Sequence, residues 1–294
     1  MNHWPAIQNQ ITLATGSEFH ILSKKMVSGG SINQAYKLVS ERENYFVKLN
    51  SAAMADMFDA EMEGLKEIIT SNTIRAPKPV CCGIDGDIAY LVLEHFETGR
   101  GHSNSAILLG HQLAAMHKKS HQQFGWHRNN TIGSTTQINK PEESWATFWI
   151  ENRLRFQLDL ARQKSSSSYL YQYGEKLLDK LPAFFFTYQV SPSLLHGDLW
   201  SGNYAICSDG EPIIFDPAVY YGDREADLAM TELFGGFPSN FYQAYDEVFP
   251  VDDGYPVRKT LYNLYHVLNH FNLFGGGYLS QAQNMIDRLL LELT

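Results

Sequence analysis

Apolar and polar residues alternate in short runs along the first ninety residues, and this pattern predicts strands around one helix. Residues 35–39 and 45–49 are rich in strand-forming side chains, and the polar stretch 40–44 between them predicts a hairpin. Residues 52–69 carry apolar side chains at spacings of three and four, which predicts an amphipathic helix. Residues 88–93 form a continuous apolar run, which is typical of a buried strand.

Beyond this part, the apolar residues recur mainly with a helical period. The pattern predicts helices at residues 107–116, 145–161 and 280–293. We therefore predict two domains: residues 1–94 as a β-rich nucleotide-binding N-lobe with one helix, and residues 95–294 as a mainly helical C-lobe that carries the catalytic loop and the acceptor site.

One short segment of the second part departs from the helical period. Two apolar runs, residues 204–207 and 212–215, flank Ser208-Asp209-Gly210. An Asp-Gly pair between apolar runs is a strong hairpin signal, so a second β-hairpin is predicted here. Together the patterns favour an α+β fold with a small β-rich lobe and a larger helical lobe.

Composition and charge narrow the classes of function. The chain has 294 residues, of which 44% are apolar, and a formal net charge of −9, so it can build a core but is repelled by nucleic acid and by anionic membranes. No run approaches 18 apolar residues, and the N-terminus lacks a secretory signal pattern. The three cysteines have no C-x-x-C spacing, which favours a reducing compartment. We expect a cytoplasmic protein without nucleic-acid or membrane partners.

The segment from His196 to Asn203 reads His-Gly-Asp-Leu-Trp-Ser-Gly-Asn and resembles the kinase catalytic loop, in which an asparagine follows an aspartate five positions later. Phosphoryl transfer needs a carboxylate that orients the acceptor hydroxyl and accepts its proton, a role we assign to Asp198. An amide oxygen binds Mg²⁺ without adding negative charge beside a triphosphate, so Asn203 is interpreted as a metal ligand. The alternative is that Asp198 caps a helix or a turn.

The predicted second hairpin returns the chain to Phe215-Asp216-Pro217. Because a hairpin brings its two ends together, we expect Asp216 to lie near Asn203 and to be the second magnesium ligand. The cofactors predicted by this pattern are ATP and Mg²⁺.

A lysine in a predicted strand is the next candidate. Lys48 lies in Phe-Val-Lys-Leu, which resembles the strand lysine of kinases that contacts the α- and β-phosphates. Such a lysine needs a carboxylate partner, and the following helix offers Glu61 and Glu63. We favour Glu61 because Leu65, four residues on, would share its inward side. The alternative is that Lys48 lies on a solvated strand face.

Two further segments could contact the nucleotide. Gly29 and Gly30 precede the first predicted strand, where backbone N–H groups of a glycine-rich turn could bind phosphates, although an ordinary loop fits equally well. Glu94 and Phe96 follow the buried strand, where a hinge would exchange backbone hydrogen bonds with adenine; this assignment rests on position alone.

The chain resembles the fructosamine kinase (ketosamine-3-kinase) family over nearly its whole length. The resemblance implies the two-lobed protein-kinase-like fold, related to that of aminoglycoside phosphotransferases. It is carried by the catalytic segment 196–203, by residues 215–218, by Gly-Asp-Arg-Glu-Ala-Asp-Leu-Ala at 222–229, and by scattered positions such as Gly125, Gln137, Asn139, Trp145, Arg153 and Gln157.

The family phosphorylates the 3-hydroxyl of ketosamines, which are sugar adducts of amines and include glycated lysines on proteins. The product falls apart and frees the amine, so the resemblance implies a deglycating repair enzyme. It also implies that Asp198 is the base, that Asn203 and Asp216 bind Mg²⁺, and that Lys48 with Glu61 positions ATP.

Substrate contacts are less defined. Trp200 could form a wall of the sugar site, since an indole face packs on sugar C–H groups, or belong to the core. Asp223, Glu225 and Asp227 could brace the catalytic loop or meet the substrate's amine, and Glu225 is our candidate substrate residue. Some relatives carry a cysteine in the glycine-rich loop, where this chain has Ser-Gly-Gly-Ser. The acceptor sugar and the oligomeric state, monomer or dimer, stay open.

Two other functions compete with this interpretation. The first is a kinase of another hydroxyl acceptor, such as an aminoglycoside, choline or a free sugar, which would share the Asp-Asn-Asp chemistry. The second is an inactive nucleotide-binding module, which the joint presence of Lys48, Asp198, Asn203 and Asp216 disfavours. A zinc site at His117 and His121 is a weak alternative, because no thiol or acidic ligand shares their spacing.

Overall fold

A computed structural model describes residues 2–27, 32–102, 104–165 and 168–293. By its internal contacts the chain divides into two compact units. The N-terminal unit comprises Met1–Ser105 and Ala205–Pro217, and the C-terminal unit comprises Ala106–Tyr204 and Ala218–Thr294. The domain boundary predicted at residue 94 follows sequence character and stays a prediction.

The strands are β1 (Ser23–Val27), β2 (Gln34–Val39), β3 (Tyr45–Ser51), β4 (Pro79–Asp85), β5 (Ile88–Glu94), β6 (Asn130–Ile132), β7 (Thr135–Gln137), β8 (Ser193–Leu195), β9 (Tyr204–Ile206), β10 (Pro212–Ile214) and β11 (Tyr220–Gly222). The α-helices are α1 (Trp4–Thr15), α2 (Ala55–Thr70), α3 (Ser105–His117), α4 (Trp145–Trp149), α5 (Phe156–Lys164), α6 (Ser168–Lys180), α7 (Glu225–Leu233), α8 (Ser239–Val248), α9 (Tyr255–Phe274) and α10 (Tyr278–Leu291). Single 3₁₀ turns lie at Ala52–Met54 and Leu181–Phe185, and a π-helical segment at Ile150–Arg155 joins α4 to α5.

The N-terminal unit is built on one antiparallel sheet with the strand order β1-β2-β3-β5-β4. Helix α1 covers one face, where Ile7 and Ile11 pack with the sheet residues Leu38, Val47 and Val92 in a core that excludes water. Helix α2 packs on β4 and β5. The opposite face of the sheet carries Lys48, because successive side chains of a strand point to opposite faces.

The strands and the helix predicted from the sequence for this unit are confirmed, but the unit has a second helix, α1, where one helix was predicted, and two strands, β1 and β4, that were not predicted. Strands β2 and β3 form the expected antiparallel hairpin, β5 is the buried strand, and the helix predicted at 52–69 is present as a 3₁₀ turn followed by α2. The strand β1 escaped prediction because all five of its residues are exposed, which leaves no alternation of burial. Strand β4 was hidden by Pro79, which we interpreted only as a helix stop.

The β9–β10 hairpin is confirmed, and it belongs to the N-terminal unit. Backbone hydrogen bonds attach it to the segment that follows β5: the N–H of Gly99 donates to Ile206 O at 2.8 Å, and the N–H of Ser208 donates to Glu97 O at 2.9 Å. The N–H of Ile214 donates to Arg75 O at 3.0 Å. These bonds fix the chain that leads to Asp216.

The C-terminal unit is mainly helical, as predicted. The helices expected at 107–116 and 280–293 are α3 and α10, and the one expected at 145–161 is the continuous run of α4, the π-helical segment and α5. Helix α9 forms the centre of this unit and packs on α5, α7 and α10. In the described part of the chain, no helix combines the length and apolar character needed to cross a bilayer.

Candidate active site

A buried lysine with two carboxylate partners lies on the central strand of the N-terminal sheet. Lys48 on β3 is 5% exposed. Its Nζ donates to Glu61 Oε1 and to Asp216 Oδ1, each at 2.6 Å. Of the two glutamates considered, the structure therefore joins Glu61 to Lys48, because α2 presents this residue to the sheet. The ion pair with Asp216 was not foreseen.

The electrostatics of this cluster favour a charged lysine. Burial alone would lower the pKa of Lys48, but the charges and hydrogen bonds of Asp216 and Glu61 outweigh burial and raise the pKa above its ordinary value. Burial raises the pKa of Glu61, and Lys48 offsets part of this effect. One ammonium thus faces two carboxylates, so the cluster can accept a further cation.

Asp216 combines exposure with an unusual backbone. Only one of its oxygens contacts Lys48, and its side chain is 46% exposed. Its φ of +58° lies in the left-handed region, a conformation that among the described non-glycine residues only Asn72 shares. This conformation costs of order 1–3 kcal/mol and is concentrated at functional sites, where the surrounding structure maintains it.

The predicted catalytic loop lies between the short strands β8 and β9. It follows β8, which pairs antiparallel with β11, and it ends at Asn203. The Asn203 Nδ2 group donates to the backbone O of Asp198 at 2.8 Å and to its Oδ2 at 3.2 Å. The amide thereby fixes the carboxylate of Asp198 and directs its own oxygen away from that group.

The loop contains a glycine that no other residue can replace without strain. Gly197 has φ +83°, and a Cβ at this position would lie 2.1 Å from Ala218 O. The close approach follows from the hydrogen bond that the N–H of Ala218 donates to His196 O at 2.8 Å. The residue before Asp198 must therefore be glycine for the loop to pack on residue 218.

A buried carboxylate holds the start of this loop. Asp227 on α7 is 1% exposed and accepts the N–H of His196 at 2.7 Å and the N–H of Gly197 at 2.8 Å. His117 on α3 lies against the same carboxylate, with Nε2 3.2 Å from Oδ2, and its Nδ1 lies 2.8 Å from the hydroxyl of Tyr245. Of the two roles left open for Asp227, the structure favours bracing of the catalytic loop.

The same contacts tune the charge of Asp227. Burial would raise the pKa of this carboxyl group, but the hydrogen bond from His117 and the backbone N–H of Gly197 hold the pKa below its ordinary value. The group therefore stays ionised in its apolar surroundings. A charged acceptor binds two backbone donors more strongly than a neutral one does.

Glu225 has a bracing environment rather than a substrate-facing one. It is fully buried, and its oxygens accept Arg258 Nε at 2.7 Å and Nη2 at 3.0 Å. Burial raises the pKa of Glu225 to about 7, against the effect of Arg258. Asp223 is likewise buried and accepts the hydroxyl groups of Tyr188 and Tyr262. Contact of Glu225 with a substrate amine, our sequence-based candidate, is disfavoured because both its oxygens are engaged.

Trp200, in contrast, is accessible. Its side chain is 37% exposed, so it does not belong to the core. The ring meets Phe234 edge to face, with centroids 6.2 Å apart. A Cβ on Gly202 would lie 2.3 Å from the indole, so the glycine makes room for this ring position. The indole, two residues after Asp198, is therefore accessible, and its contact with a sugar stays a prediction.

Four further residues were predicted to contact the nucleotide: Gly29, Gly30, Glu94 and Phe96. Gly29 and Gly30 lie outside the described residues. The backbone N–H of Glu94 donates to Lys78 O at 2.8 Å, so this donor is already used. The backbone of Glu94 can therefore contact adenine only as a hydrogen-bond acceptor. The ring of Phe96 lies 5.7 Å from that of Phe215, which precedes Asp216.

The residues proposed for magnesium offer suitable donors. Asn203 presents an amide oxygen and Asp216 an exposed carboxylate oxygen, and hard oxygen ligands of this kind suit Mg²⁺, which also takes waters and phosphate oxygens. The described residues contain no group of three histidine, cysteine, aspartate or glutamate side chains that could hold a metal by themselves. Each of the two residues, one in each unit, therefore offers an oxygen donor of the kind that suits Mg²⁺.

The fold and these two clusters define a phosphotransferase of the protein-kinase-like class. A solved structure of a candidate fructosamine-3-kinase from Haemophilus somnus matches the chain with a TM-score of 0.90 at 29% identity, covering 98% of this chain and 97% of its own. The predicted α+β kinase-like fold is thereby confirmed.

The family follows from sequence comparison. The family model described as fructosamine kinase matches residues 3–292, and the chain belongs to that family. A probable ketoamine kinase of Synechocystis sp. is 50% identical over 288 residues, which cover 98% of this chain and 97% of the relative. The chloroplastic protein-ribulosamine 3-kinase of Arabidopsis thaliana is 42% identical over 281 residues, which cover 95% of this chain and 86% of the relative.

Replacement of Asp227 tests the bracing role. In Asp227→Asn both backbone donors of the loop lose their charged acceptor, and one of them is left without an acceptor because an amide presents only one oxygen. We expect the free energy of unfolding at pH 7 to fall by about 3 kcal/mol. Urea unfolding followed by circular dichroism measures this change. The exposed Asp253→Asn is the matched control, with an expected change within about 0.5 kcal/mol.

The pH dependence of this effect has a defined sign. Because the pKa of Asp227 is lowered in the folded state, its stabilisation is present above the ordinary value of 3.8 and is lost as the pH falls through the folded-state pKa. The difference between wild type and Asp227→Asn should be constant above about pH 5 and shrink in more acidic solution. A difference that grows on acidification would contradict the assignment.

Proposed function

We propose that the protein transfers the γ-phosphoryl group of ATP to the 3-hydroxyl of ketosamines, with Asp198 as the general base. The observation that carries this proposal is the loop in which Asn203 fixes the Asp198 carboxylate, in a chain that belongs to the fructosamine kinase family over residues 3–292. The reaction would initiate removal of sugar adducts from amines, including lysine side chains of proteins.

The N-terminal unit would bind the nucleotide. A charged Lys48, kept in position by Glu61, supplies an ammonium group suited to the α- and β-phosphates. Its ion pair with Asp216 would exchange for phosphate oxygens, which releases the carboxylate for a cation. When bound, Mg²⁺ would neutralise charge that develops on the phosphates, with Asp216 and Asn203 as its protein ligands.

The C-terminal unit would bind the acceptor. The hydroxyl oxygen forms a bond to the γ-phosphorus, the bond from that phosphorus to the ADP oxygen breaks, and the hydroxyl proton passes to Asp198. The hydrogen bond from Asn203 Nδ2 to Oδ2 would orient the carboxylate before the substrate arrives, and the bond to the backbone O of Asp198 holds the loop, so little reorganisation is needed. The exposed indole of Trp200 is suited to pack on the C–H surface of the sugar.

The names of the relatives support a ketosamine rather than another acceptor. The Arabidopsis relative is a protein-ribulosamine 3-kinase, and its 42% identity extends over 95% of this chain. We therefore infer a ribulosamine-type acceptor as the preferred substrate, with fructosamines as the next candidates.

Acceptor profiling tests the proposed substrate class. Purified protein is incubated with ATP and Mg²⁺ and with ribuloselysine, fructoselysine, kanamycin, choline or no acceptor, and ADP release is followed. We expect turnover with a ketosamine and none above background with the other additions. Turnover with kanamycin or choline alone would retain the kinase chemistry and overturn the substrate class. ATP binding without transfer to any acceptor would favour an inactive nucleotide-binding module.

Replacement of the base tests the mechanism. Asp198→Asn keeps the shape of the side chain but cannot accept the proton, so kcat should fall by about 10²-fold or more. The dissociation constant of ATP, measured by calorimetry, should change little, because Asp198 is assigned to the acceptor. Asp253→Asn serves again as the control and should keep normal turnover. A normal kcat in Asp198→Asn would refute the role assigned to this residue.

A further inference from the structure

We infer that the ion pair between Lys37 and Glu97 contacts the base-and-ribose end of the bound nucleotide and contributes to nucleotide affinity. The inference rests on the proposed function only in requiring that a nucleotide binds to the N-terminal unit. It adds two binding residues that neither the sequence motifs nor the family resemblance indicated.

The register of the sheet places Lys37 on the same face as Lys48. Paired residues of antiparallel strands point to one face, and the row Ala35, Lys48 and Leu91 runs across β2, β3 and β5. Two positions along these strands, a second row runs through Lys37, Phe46 and Leu93. The second row ends one residue before Glu94, so it is the row next to the predicted hinge.

The two faces of the sheet differ in how they are covered. Leu38 and Val47, which point towards α1, are fully buried. On the other face Ala35, Lys37 and Phe46 remain partly exposed, although they belong to the interior strands β2 and β3. A partly exposed phenylalanine beside a buried lysine on a central strand is a surface suited to a flat aromatic base.

The ion pair crosses this surface. Lys37 Nζ lies 2.5 Å from Glu97 Oε1, and the lysine side chain is only 21% exposed. Lys37 belongs to β2 and Glu97 follows β5, and β3 with Phe46 lies between these two strands. Neighbouring strands are about 4.8 Å apart, so the pair spans roughly 10 Å beside Phe46. The methylene groups of Lys37 can pack on a base while the ammonium group stays on Glu97.

The local charges support a ligand with hydroxyl groups or negative charge. Lys25 is paired directly with Lys37 across β1 and β2, and like charges in this relation are unfavourable unless they are compensated. Glu97 is the carboxylate that compensates them, and the hydrogen bond from Lys37 lowers its pKa. His95 lies 3.6 Å from the same carboxylate, and burial and the charge of Lys37 lower its pKa, so it does not add a further cation at neutral pH.

Nucleotide binding without any acceptor tests the inference. Dissociation constants of AMP and ATP are measured by calorimetry for wild type, Lys37→Ala, Lys37→Met and Glu97→Gln. Because the pair contacts the part that AMP and ATP share, Lys37→Ala should weaken both by a similar factor of about tenfold. Lys37→Met keeps the methylene groups and should lose less than Lys37→Ala. The variant Glu97→Gln should resemble Lys37→Met, since each removes one charge of the pair.

The matched control is Lys24→Ala. Lys24 neighbours Lys25 on β1 but is paired with Leu38 on the α1 face, and its Nζ lies 5.0 Å from the Trp4 ring. This variant also loses a lysine from the sheet edge, so it reports the effect of net charge alone, and we expect unchanged affinity for both nucleotides.

Four results would overturn the inference. A loss confined to ATP would assign Lys37 to the phosphates, and unchanged or tighter binding would show that the pair does not contact the nucleotide. An equal loss of nucleotide affinity in Lys37→Ala and Lys24→Ala would show that only the change in net charge matters. Absence of nucleotide binding in wild type would overturn the proposed function as well, whereas wild-type binding without ketosamine turnover would overturn the proposed substrate alone.

Discussion

The buried ammonium group of Lys48 is the constraint on which the N-terminal unit depends. A charge at this depth is tolerated only with partners, and both partners come from other elements: Glu61 from α2 and Asp216 from the end of the β9–β10 hairpin. The ion pairs therefore fix where the helix and the hairpin lie relative to the sheet. They also leave two carboxylates around one ammonium group, a surplus of negative charge that favours a further cation.

The C-terminal unit is organised around a buried charge of the opposite sign. The carboxylate of Asp227 binds two backbone N–H groups at the start of the catalytic loop, and His117 contacts it from α3. Because these groups are out of water, the hydrogen bonds are strong and their loss is costly. The start of the loop that carries Asp198 is thus fixed by a network of buried groups within the C-terminal unit.

The sequence predicted the parts of this account that depend on local spacing. Asp198 and Asn203 were singled out because both lie in one short motif, and the contact of Glu61 with Lys48 was predicted because the helix period selects one face of α2. The partners of Asp227 could not be found in this way, since Gly197 is 30 positions and His117 is 110 positions distant along the chain. Edge strand β1 was missed for a different reason, because full exposure removes the alternation by which strands are recognised.

The most direct test of the central claim is the position of the phosphate in the product. Ribuloselysine is converted with ATP and Mg²⁺, and a phosphorus–proton correlation NMR spectrum is recorded before the product decays. The account predicts that the new phosphorus resonance couples to the proton on carbon 3 of the sugar and that free lysine then accumulates. Coupling to the protons of the terminal carbon, with no release of lysine, would contradict it.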